Sequence, residues 1–352
     1  MITLDVAALD AAAARNSFSG VVAVDVGGVR TFERCYGFAH RGYRVPVTAE
    51  MQFALASGSK TFTALAVLRL VENGMLRLDQ RVREILADDL PLIDDAVTVE
   101  QLLAHTSGIG DYLDEDGDWE VEDYVFAVPV HTLTSAEAFL PALDGFPQKF
   151  PPGERFAYCN GGFMVLAVVL ERITHEVFHD AVRRLVLDPA GLADTAYLRT
   201  DDLPGSAATG YLFDEGNRTN ALHLPVLGNG DGGAFSTAAD LHRFWRALHA
   251  GRIVSPTTVT VMTQPRADVP DEGMRYGLGL WLHATGPATV IEGYDAGVSF
   301  RSTHIPTSET TVSVLGNSSE GAWPVIGVVA DAVDAALAGG HHDPRPARFR
   351  IS

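Results

Sequence analysis

A serine and a lysine three residues apart are the first pair in this sequence that could do covalent chemistry. Ser57-Gly58-Ser59-Lys60 opens a run with apolar residues at helical spacing, so Ser57 and Lys60 should share one face, about one turn apart. A neighbouring amine can take the proton of a serine, and a helix N-terminus favours the developing negative charge. The alternative is a helix-capping serine with a surface lysine. The pair favours Ser57 as a nucleophile and Lys60 as its activating group.

The rarity of lysine supports a special role for Lys60. Of the 26 lysines and arginines in the 352 residues, only Lys60 and Lys149 are lysine. An arginine keeps its proton at any workable pH, whereas a buried lysine can lose it. A lysine retained among so many arginines suggests a position where that difference matters.

A tyrosine and an asparagine form the second candidate pair, in Tyr158-Cys159-Asn160. Side chains two apart on an extended segment point the same way. Tyr158 could pass a proton to the leaving group, or act as the base if Lys60 depresses its pKa; Asn160 could bond a substrate amide or the lysine. Both residue types are also common in loops without a catalytic role.

The scaffold for these residues follows from the apolar pattern. The sequence predicts a helix from Leu4 to Arg15, a hairpin turning at Gly27-Gly28 and a helix from Ser57 to Asn73. A closing helix is predicted from Trp323 to Leu337, after four segments that predict an antiparallel meander: Gly277–His283, Thr289–Glu292, Val298–Ile305 and Thr310–Leu315.

These elements predict an α/β fold, with an antiparallel sheet flanked by helices and an inserted all-helical lobe. We expect residues 1–75 and 226–340 to form the discontinuous α/β lobe, 76–225 the mainly helical lobe, and 341–352 a mobile tail. Helices are expected at Val99–Ala104, Gly162–Arg172, Phe178–Leu187 and Ala238–Ala250. The cleft between the lobes is the expected site.

Five segments carry a family resemblance in their order and spacing: Phe53–Asp79, Thr98–Ile109, Phe150–Asn160, Leu187–Thr195 and Gly232–Leu241. Together they resemble the family of class C β-lactamases, penicillin-binding DD-peptidases, D-aminopeptidases and family VIII esterases. The resemblance implies a β-lactamase/transpeptidase-like fold and an acyl-enzyme mechanism without metal or cofactor. By matching motif it implies Ser57 as nucleophile, with Lys60 and Tyr158 as the activating and proton-relaying pair.

The third motif of that family departs from its usual form. Members usually carry Lys-Thr-Gly or His-x-Gly on the strand lining the cleft, and we align Tyr294-Asp295-Ala296-Gly297 with it. In this register the amides of Ser57 and Gly297 form the oxyanion hole, and the three residues before Gly297 bind substrate. Whether Tyr294 replaces the usual cation functionally is left open.

The missing cation bears on substrate choice. Without it, a substrate carboxylate of the kind that β-lactams and D-alanyl peptides present should bind less well. Arg301 and His304 are candidate substitutes, although we expect both to be structural. An esterase or amidase is therefore favoured over an efficient β-lactamase.

Composition excludes several partners. The net charge of -19 opposes nucleic acid and anionic membranes, and no apolar run is long enough to span a bilayer. Two cysteines and an N-terminus without an export signal lead us to expect a cytoplasmic protein. The segment Asp111–Asp123 contains eight acidic and no basic residues; it is either a solvated loop or a rim that suits an amine.

Two further motifs have simpler explanations. His175-Glu176-Val177-Phe178-His179 matches a zinc-peptidase pattern, but in the family His175 falls at a break between helices, so we expect no metal. Gly228 to Gly233 is rich in glycine without the Lys-Ser/Thr of a nucleotide loop, which favours a tight turn at the cleft.

The sequence thus predicts a serine hydrolase that cleaves a small ester, amide or short peptide through acyl-Ser57. One alternative is a D-amino-acid-specific aminopeptidase, a DD-peptidase or a β-lactamase. Another is a catalytically silent binding protein on the same scaffold. The natural substrate and the oligomeric state are left open.

Overall fold

The computed structural model describes residues 2–115, 117, 120, 122–338 and 350–351. The helices are α1 (Val6–Arg15), α2 (Lys60–Glu72), α3 (Arg83–Leu86), α4 (Val99–Leu103), α5 (Leu140–Leu143), α6 (Asn160–Thr174), α7 (Phe178–Val182), α8 (Asp188–Ala190), α9 (Ala238–His249), α10 (Pro256–Met262) and α11 (Trp323–Ala338). The strands are β1 (Thr3–Leu4), β2 (Gly20–Val26), β3 (Val29–Tyr36), β4 (Phe38–His40), β5 (Val45–Pro46), β6 (Phe53–Ala54), β7 (Ala196–Tyr197), β8 (Ala234–Ser236), β9 (Ala267–Val269), β10 (Met274–Tyr276), β11 (Trp281–His283), β12 (Thr289–Asp295), β13 (Val298–Ile305), β14 (Thr310–Gly316) and β15 (Arg350–Ile351).

The main sheet joins the two ends of the chain. Its order is β3-β2-β14-β13-β12-β11-β10-β9, with every neighbouring pair antiparallel. Alternate residues of a strand face opposite sides of a sheet. Val22 and Val314 therefore pack with α1 and α11 on one face, while Val21 and Leu315 belong to the core with α2 and α9 on the other. The predicted fold class is confirmed.

The element bounds differ from the sequence prediction in places. Helix α2 begins at Lys60, because Ala56–Ser59 forms a 3-10 turn. The helix predicted at Phe178–Leu187 is α7 followed by a π-helical turn over Arg183–Leu187. The segment predicted as one strand, Gly277–His283, contributes only β11, and the neighbouring strands β9 and β10 were not predicted.

The middle of the chain supplies the helices α3 to α8 before β8 returns to the site. The lobe boundaries at residues 76 and 225 stay a prediction. Of the predicted mobile tail, residues 341–349 and 352 lie outside the described residues, while β15 pairs in parallel with β1. Within the described residues, no helix combines the length and apolarity needed to cross a membrane.

Candidate active site

A tight turn presents Ser57. The Ser57 turn, residues Ala56–Ser59, is a 3-10 helix that leads into α2. It begins with Ala56 at φ 43°, a left-handed conformation that non-glycine residues rarely adopt. The Ala234 N–H of β8 donates to Ser59 Oγ at 2.9 Å and fixes the turn. Ser57 is partly exposed, whereas its neighbours in the turn are buried.

Lys60 lies beneath Ser57 with three hydrogen-bond acceptors around its amine. Lys60 Nζ is 2.8 Å from Ser57 Oγ, 2.7 Å from Asn160 Oδ1 and 2.7 Å from the Asp231 main-chain oxygen. The two carbonyl oxygens can only accept hydrogen bonds, whereas a hydroxyl can also donate. When the amine is neutral, its lone pair must therefore face Ser57, and that is the arrangement that proton abstraction requires.

Electrostatics favour Lys60 over Tyr158 as the group that takes this proton. Burial lowers the pKa of Lys60, and nearby carboxyl groups, Asp231 first, oppose that shift. Burial and the charge of Glu115 raise the pKa of Tyr158 well above its usual value. The pKa of Tyr158 is therefore raised rather than lowered in the free protein, which favours a neutral phenol; the choice between Lys60 and Tyr158 as the base stays a prediction.

Aromatic rings hold Tyr158 beside the pair. The ring lies between His105, with centroids 4.2 Å apart, and Trp281, stacked at 6.0 Å. Its centroid is 5.0 Å from Lys60 Nζ, and the side chain of Ser57 lies close enough to its hydroxyl to oppose the rise in its pKa. Buried His105 accepts the Cys159 N–H on Nδ1 at 3.0 Å and so fixes the backbone that carries Tyr158.

Asn160 supports the lysine. Its Oδ1 accepts from Lys60, while its Nδ2 donates to the Leu113 carbonyl at 2.9 Å and to Glu115 Oε1 at 3.1 Å. Both Nδ2 protons are thus used within the protein. Of the two roles predicted from the sequence, the structure has the contact with the lysine, although Asn160 also lines the cleft.

Two aspartates in the site were missed by the sequence analysis. Asp111 accepts the N–H groups of Asn160 at 2.6 Å and Gly161 at 2.8 Å, and so caps α6. Half-buried Asp231 accepts a hydrogen bond from Lys60 on its main-chain carbonyl and one from the Tyr112 hydroxyl on its carboxylate. The sequence signal for Asp231 was that it is the one acidic residue in the glycine-rich turn from Gly228 to Gly233. That turn lies at the cleft, as predicted.

The third motif is out of register with the sequence alignment. The Gly297 N–H, assigned to the oxyanion hole, donates instead to Ser319 Oγ at 3.0 Å and is buried. Ala296, assigned to substrate, is 1% exposed, and its carbonyl accepts from Asn220 Nδ2 at 2.9 Å. Both residues belong to the turn between β12 and β13, which packs away from Ser57.

Gly293 is the glycine that meets the Ser57 turn. A Cβ at Gly293 would lie 2.0 Å from the Leu55 carbonyl oxygen and 2.9 Å from the backbone nitrogens of Ser57 and Gly58. Only a residue without a side chain allows β12 to approach this closely. The sequence contains a glycine at both positions, and packing distinguishes them.

The strand pairing then indicates which amide faces the cleft. In antiparallel strands, opposed pairs that exchange two hydrogen bonds alternate with pairs that exchange none. Asp295 and Val298 flank the two-residue turn and form a hydrogen-bonded pair. The next pair, Tyr294 and Ser299, is therefore not hydrogen-bonded, and the Tyr294 N–H points away from β13. The Tyr294 side chain is 41% exposed and lies against Trp323.

Neither candidate substitute cation is a free group in the site. Arg301 forms an ion pair with Glu292, the neighbour of Gly293 on β12. His304 is buried under the sheet, where Nδ1 is 2.8 Å from Thr311 Oγ1 and the ring stacks on Trp245. Burial and neighbouring histidines lower the pKa of His304 to about 3, so it carries no charge at neutral pH.

Ser57 lies where two cavities meet. The small cavity, about 310 Å³, is lined by Asn160, Asp231 and Asp295; the large cavity, about 810 Å³, by Tyr158, Trp281 and the Arg301–Glu292 pair. Ser57, Glu115 and Tyr294 line both. The nucleophile therefore has separate spaces on its two sides, one beside Asn160 and one beside Tyr158.

The acidic segment contributes to both cavities. Glu115 lines both of them, Glu120 lines the small one, and Asp111 is buried at α6. Asp116 and Asp118 lie outside the described residues. The segment is thus, in part, a wall of the cleft.

The two histidines of the zinc-like motif do not share a helical face. His175 ends α6 in a left-handed conformation, and His179 Nε2 lies 2.8 Å from the Gly228 carbonyl oxygen. The part of the chain that the structure describes contains no cluster of three metal-ligating side chains.

Comparison with known proteins gives consistent matches. The family model described as Beta-lactamase matches residues 6–333. Penicillin-binding protein 4* of Bacillus subtilis is 28% identical over 288 residues, which are 78% of this chain and 61% of that protein. A D-aminopeptidase of Brucella anthropi is 29% identical over 273 residues, 76% of this chain and 49% of that protein. The chain thus spans about half to three fifths of the length of these two curated relatives.

A solved structure matches over nearly its whole length. The penicillin-binding protein from Bacillus halodurans has a TM-score of 0.84 and 36% sequence identity, covering 92% of this chain and 99% of that chain.

Proposed function

Because this chain belongs to the Beta-lactamase family, we propose that it is a serine hydrolase that cleaves an ester or amide through an acyl-Ser57 intermediate. The observation that carries the proposal is the contact of Lys60 Nζ with Ser57 Oγ at 2.8 Å. Of the three groups around this amine, only the Ser57 hydroxyl has a proton that it can give to a neutral lysine. The relative named D-aminopeptidase supports the inclusion of amides.

Acylation begins with Lys60. Its neutral amine takes the Ser57 proton as Oγ bonds to the substrate carbonyl carbon, and the oxygen of that carbonyl becomes negative. The N–H of Ser57 belongs to the first turn of a helix, where such groups have no intrahelical acceptor. Together with the Tyr294 N–H on β12, it would form the oxyanion hole, in place of the Gly297 amide expected from the sequence.

The leaving group departs on the Tyr158 side. Tyr158, whose raised pKa favours a neutral phenol, lies close to Ser57 and lines the large cavity, so it can donate a proton to the leaving oxygen or nitrogen. Lys60 returns the proton taken from Ser57 to Tyr158. The bond from the carbonyl carbon to the leaving group breaks, and the acyl group stays on Ser57, beside the small cavity.

Water completes the cycle. The same groups remove a proton from the attacking water, a carbon–oxygen bond forms and Ser57 Oγ leaves with a proton. The protein is regenerated, and one ester or amide has become an acid and an alcohol or amine.

The charges around Ser57 favour neutral or cationic substrates over β-lactams. Arg301 is already paired with Glu292, and among the described residues of the small cavity no lysine or arginine lines the wall. In the small cavity a substrate carboxylate would meet acidic side chains, whereas the large cavity contains Arg155 as well as acidic residues. We therefore propose an esterase or amidase rather than an efficient β-lactamase.

The test compares wild type, Ser57→Ala and Ser206→Ala, the last a control at an exposed serine. Substrates are p-nitrophenyl butyrate, a D-alanyl p-nitroanilide and a chromogenic cephalosporin, with fluorophosphonate labelling in parallel. We expect Ser57→Ala to lose labelling and at least about a thousandfold of kcat/KM. The cephalosporin should be the poorest of the three substrates.

Other results would favour the alternatives. Fast cephalosporin turnover would overturn the substrate preference, and preferred anilide turnover would favour the D-aminopeptidase alternative. A folded wild type that neither labels nor turns over any substrate would favour the binding protein. The cytoplasmic location stays a prediction, which cell fractionation tests.

A further inference from the structure

One residue, His105, holds the chain on both sides of Tyr158. The Ala157 N–H donates to the His105 carbonyl oxygen at 2.9 Å, and the Cys159 N–H donates to His105 Nδ1 at 3.0 Å. These two hydrogen bonds enclose the single backbone position that carries Tyr158. The His105 ring also lies against the Tyr158 ring, with centroids 4.2 Å apart and planes tilted by 30°. His105 therefore contacts the backbone on both sides of Tyr158 and one face of its side chain.

His105 is itself held in place by aromatic packing. The residue is 1% exposed, and besides Tyr158 its ring contacts Tyr276 at 4.9 Å, Phe163 at 5.0 Å and Phe156 at 5.8 Å between centroids. Protein interiors are close-packed, so a ring enclosed in this way has little room to turn. The position of Nδ1, and with it the position of the Cys159 N–H, is therefore fixed.

The hydrogen bond from Cys159 requires a neutral His105 ring. A backbone N–H can only donate, so Nδ1 carries no proton and the one ring proton of the neutral form is on Nε2. Burial, and after it the charge of Lys60, lowers the pKa of His105 well below its usual value. At neutral pH His105 thus keeps the free Nδ1 that accepts the Cys159 N–H.

The conformation of His105 is costly in two respects. Its φ of 54° lies in the left-handed region, which non-glycine residues seldom adopt. Its Nε2 is buried and has no hydrogen-bond partner among the residues that the structure describes. Buried polar atoms without a partner are rare, and strained backbone of this kind clusters at functional sites. In this conformation the carbonyl and the ring of His105 both face the segment that carries Tyr158.

We propose that His105 is a positioning residue for Tyr158 and holds its hydroxyl where it protonates the departing group, a role that rests on the proposed function. In that step the bond from the carbonyl carbon to the leaving oxygen or nitrogen breaks, and the leaving atom takes the Tyr158 proton. The proton that Lys60 took from Ser57 then restores the phenol. His105 itself exchanges no proton.

Proton donation to the leaving group can be measured by changing that group. p-Nitrophenolate is stable as an anion and departs without a proton, whereas an ethoxide must be protonated as it departs. A misplaced Tyr158 should therefore slow acylation by ethyl butyrate far more than acylation by p-nitrophenyl butyrate, although both esters form the same butyryl-Ser57. General damage to Ser57 or Lys60 would slow both esters alike. The readout is the ratio of kcat/KM for p-nitrophenyl butyrate to kcat/KM for ethyl butyrate.

The test compares wild type, His105→Phe, Tyr158→Phe, the double variant and His249→Phe. Phenylalanine keeps a flat ring beside Tyr158 but has no Nδ1, so the Cys159 N–H loses its acceptor. His249 is a half-buried histidine that stacks on Trp245 and lines neither cavity. Its variant is therefore the matched control for the loss of a packed histidine.

We expect the ratio to rise by about ten- to a hundredfold in His105→Phe and at least as much in Tyr158→Phe. In His249→Phe it should stay within about threefold of the wild-type ratio. The double variant should show no larger rise than Tyr158→Phe, because a residue that acts through Tyr158 then has nothing to position. Fluorophosphonate labelling of Ser57 in His105→Phe should stay near the wild-type rate, since fluoride departs as an anion.

Three results would overturn the role of His105. The first is an unchanged ratio in a folded His105→Phe protein, and the second is a rise in the double variant equal to the product of the two single rises. The third is a loss of labelling as large as the loss of ethyl butyrate turnover, which indicates general damage. If His105→Phe does not fold, His105→Gly replaces it with the same expectations, because glycine adopts the left-handed conformation freely and removes both side-chain contacts.

This role and the proposed function can fail separately. A raised ratio in Tyr158→Phe but not in the His105 variant overturns only the role of His105. An unchanged ratio in Tyr158→Phe overturns proton donation by Tyr158 and the role of His105 with it, while serine-dependent turnover stands. Absence of labelling and of turnover of both esters in folded wild type overturns the proposed function as well.

Discussion

Replacing Gly293 by alanine should separate β12 from the Ser57 turn. The added Cβ would lie 2.0 Å from the Leu55 carbonyl oxygen, about 1.4 Å short of the 3.4 Å at which ordinary contact begins. It would also lie 2.9 Å from the backbone nitrogens of Ser57 and Gly58, so no flexible side chain can yield instead. The strand and the turn must move apart by more than 1 Å.

That displacement sets the expected size of both effects. Overpacking of a tight site typically costs about 1–3 kcal/mol, which we expect as the loss in the free energy of unfolding. A misplacement of about 1 Å in a catalytic site can cost about a hundredfold in rate, which we expect in kcat and in the fluorophosphonate labelling rate of Ser57. Circular dichroism should report a folded protein.

Urea unfolding and ester turnover of Gly293→Ala measure the two effects. Gly42→Ala is the matched control, because a Cβ at Gly42 has no atom within 4 Å. The close packing of β12 on Ser57 would be refuted by a Gly293→Ala protein that keeps its stability and its kcat within about threefold of Gly42→Ala.

Two further predictions follow from protonation. Lys60→Arg should lower kcat for the ester by about 10²–10⁴-fold, because a guanidinium cannot take the Ser57 proton; near-normal kcat would contradict a base at this position. His304 has its pKa lowered to about 3, from 6.5 when unfolded, so its contribution to stability is present above pH 6.5 and is lost towards pH 3. In His304→Gln the free energy of unfolding, measured by urea titration, should therefore fall less steeply below pH 6.5 than it does in wild type. A variant of exposed His131 should match wild type.

The sequence predicted best where a motif is local. Ser57 and Lys60 are three residues apart at the start of a helix, so helical geometry alone brings them together. Tyr158 and Asn160 are distant in the chain, and the resemblance rather than the pattern predicted that they would join the lysine. Their contacts with Lys60 are as expected, whereas their catalytic roles stay predictions.

The third motif failed for a physical reason. The hairpin of β12 and β13 contains Gly293 and Gly297, and a shift of four residues keeps each side chain on the same face of the strand. Strand periodicity therefore cannot choose between the two glycines. The choice depends on the Leu55 carbonyl, which is far away in the chain.

Asp111 and Asp231 were missed for a related reason. Each acts through a backbone group of a distant segment, Asp111 on the first N–H groups of α6 and Asp231 through its own carbonyl on Lys60. No spacing rule predicts such contacts. An acidic residue among glycines, or directly after a glycine-rich turn, looks like an ordinary surface residue until the chain is folded.

The order of strands in the main sheet has a consequence for biosynthesis. Strand β2 pairs with β14 across about 300 residues, and Gly293 follows Ser57 by more than 230 residues. At the usual ~5–20 residues per second, a ribosome makes the serine and lysine roughly 10–50 s before the strand that completes their site. Such long-range pairing also folds slowly. The nascent chain therefore carries its nucleophile in an incomplete site, and hydrolytic activity should begin only after β12 and β14 have left the ribosome.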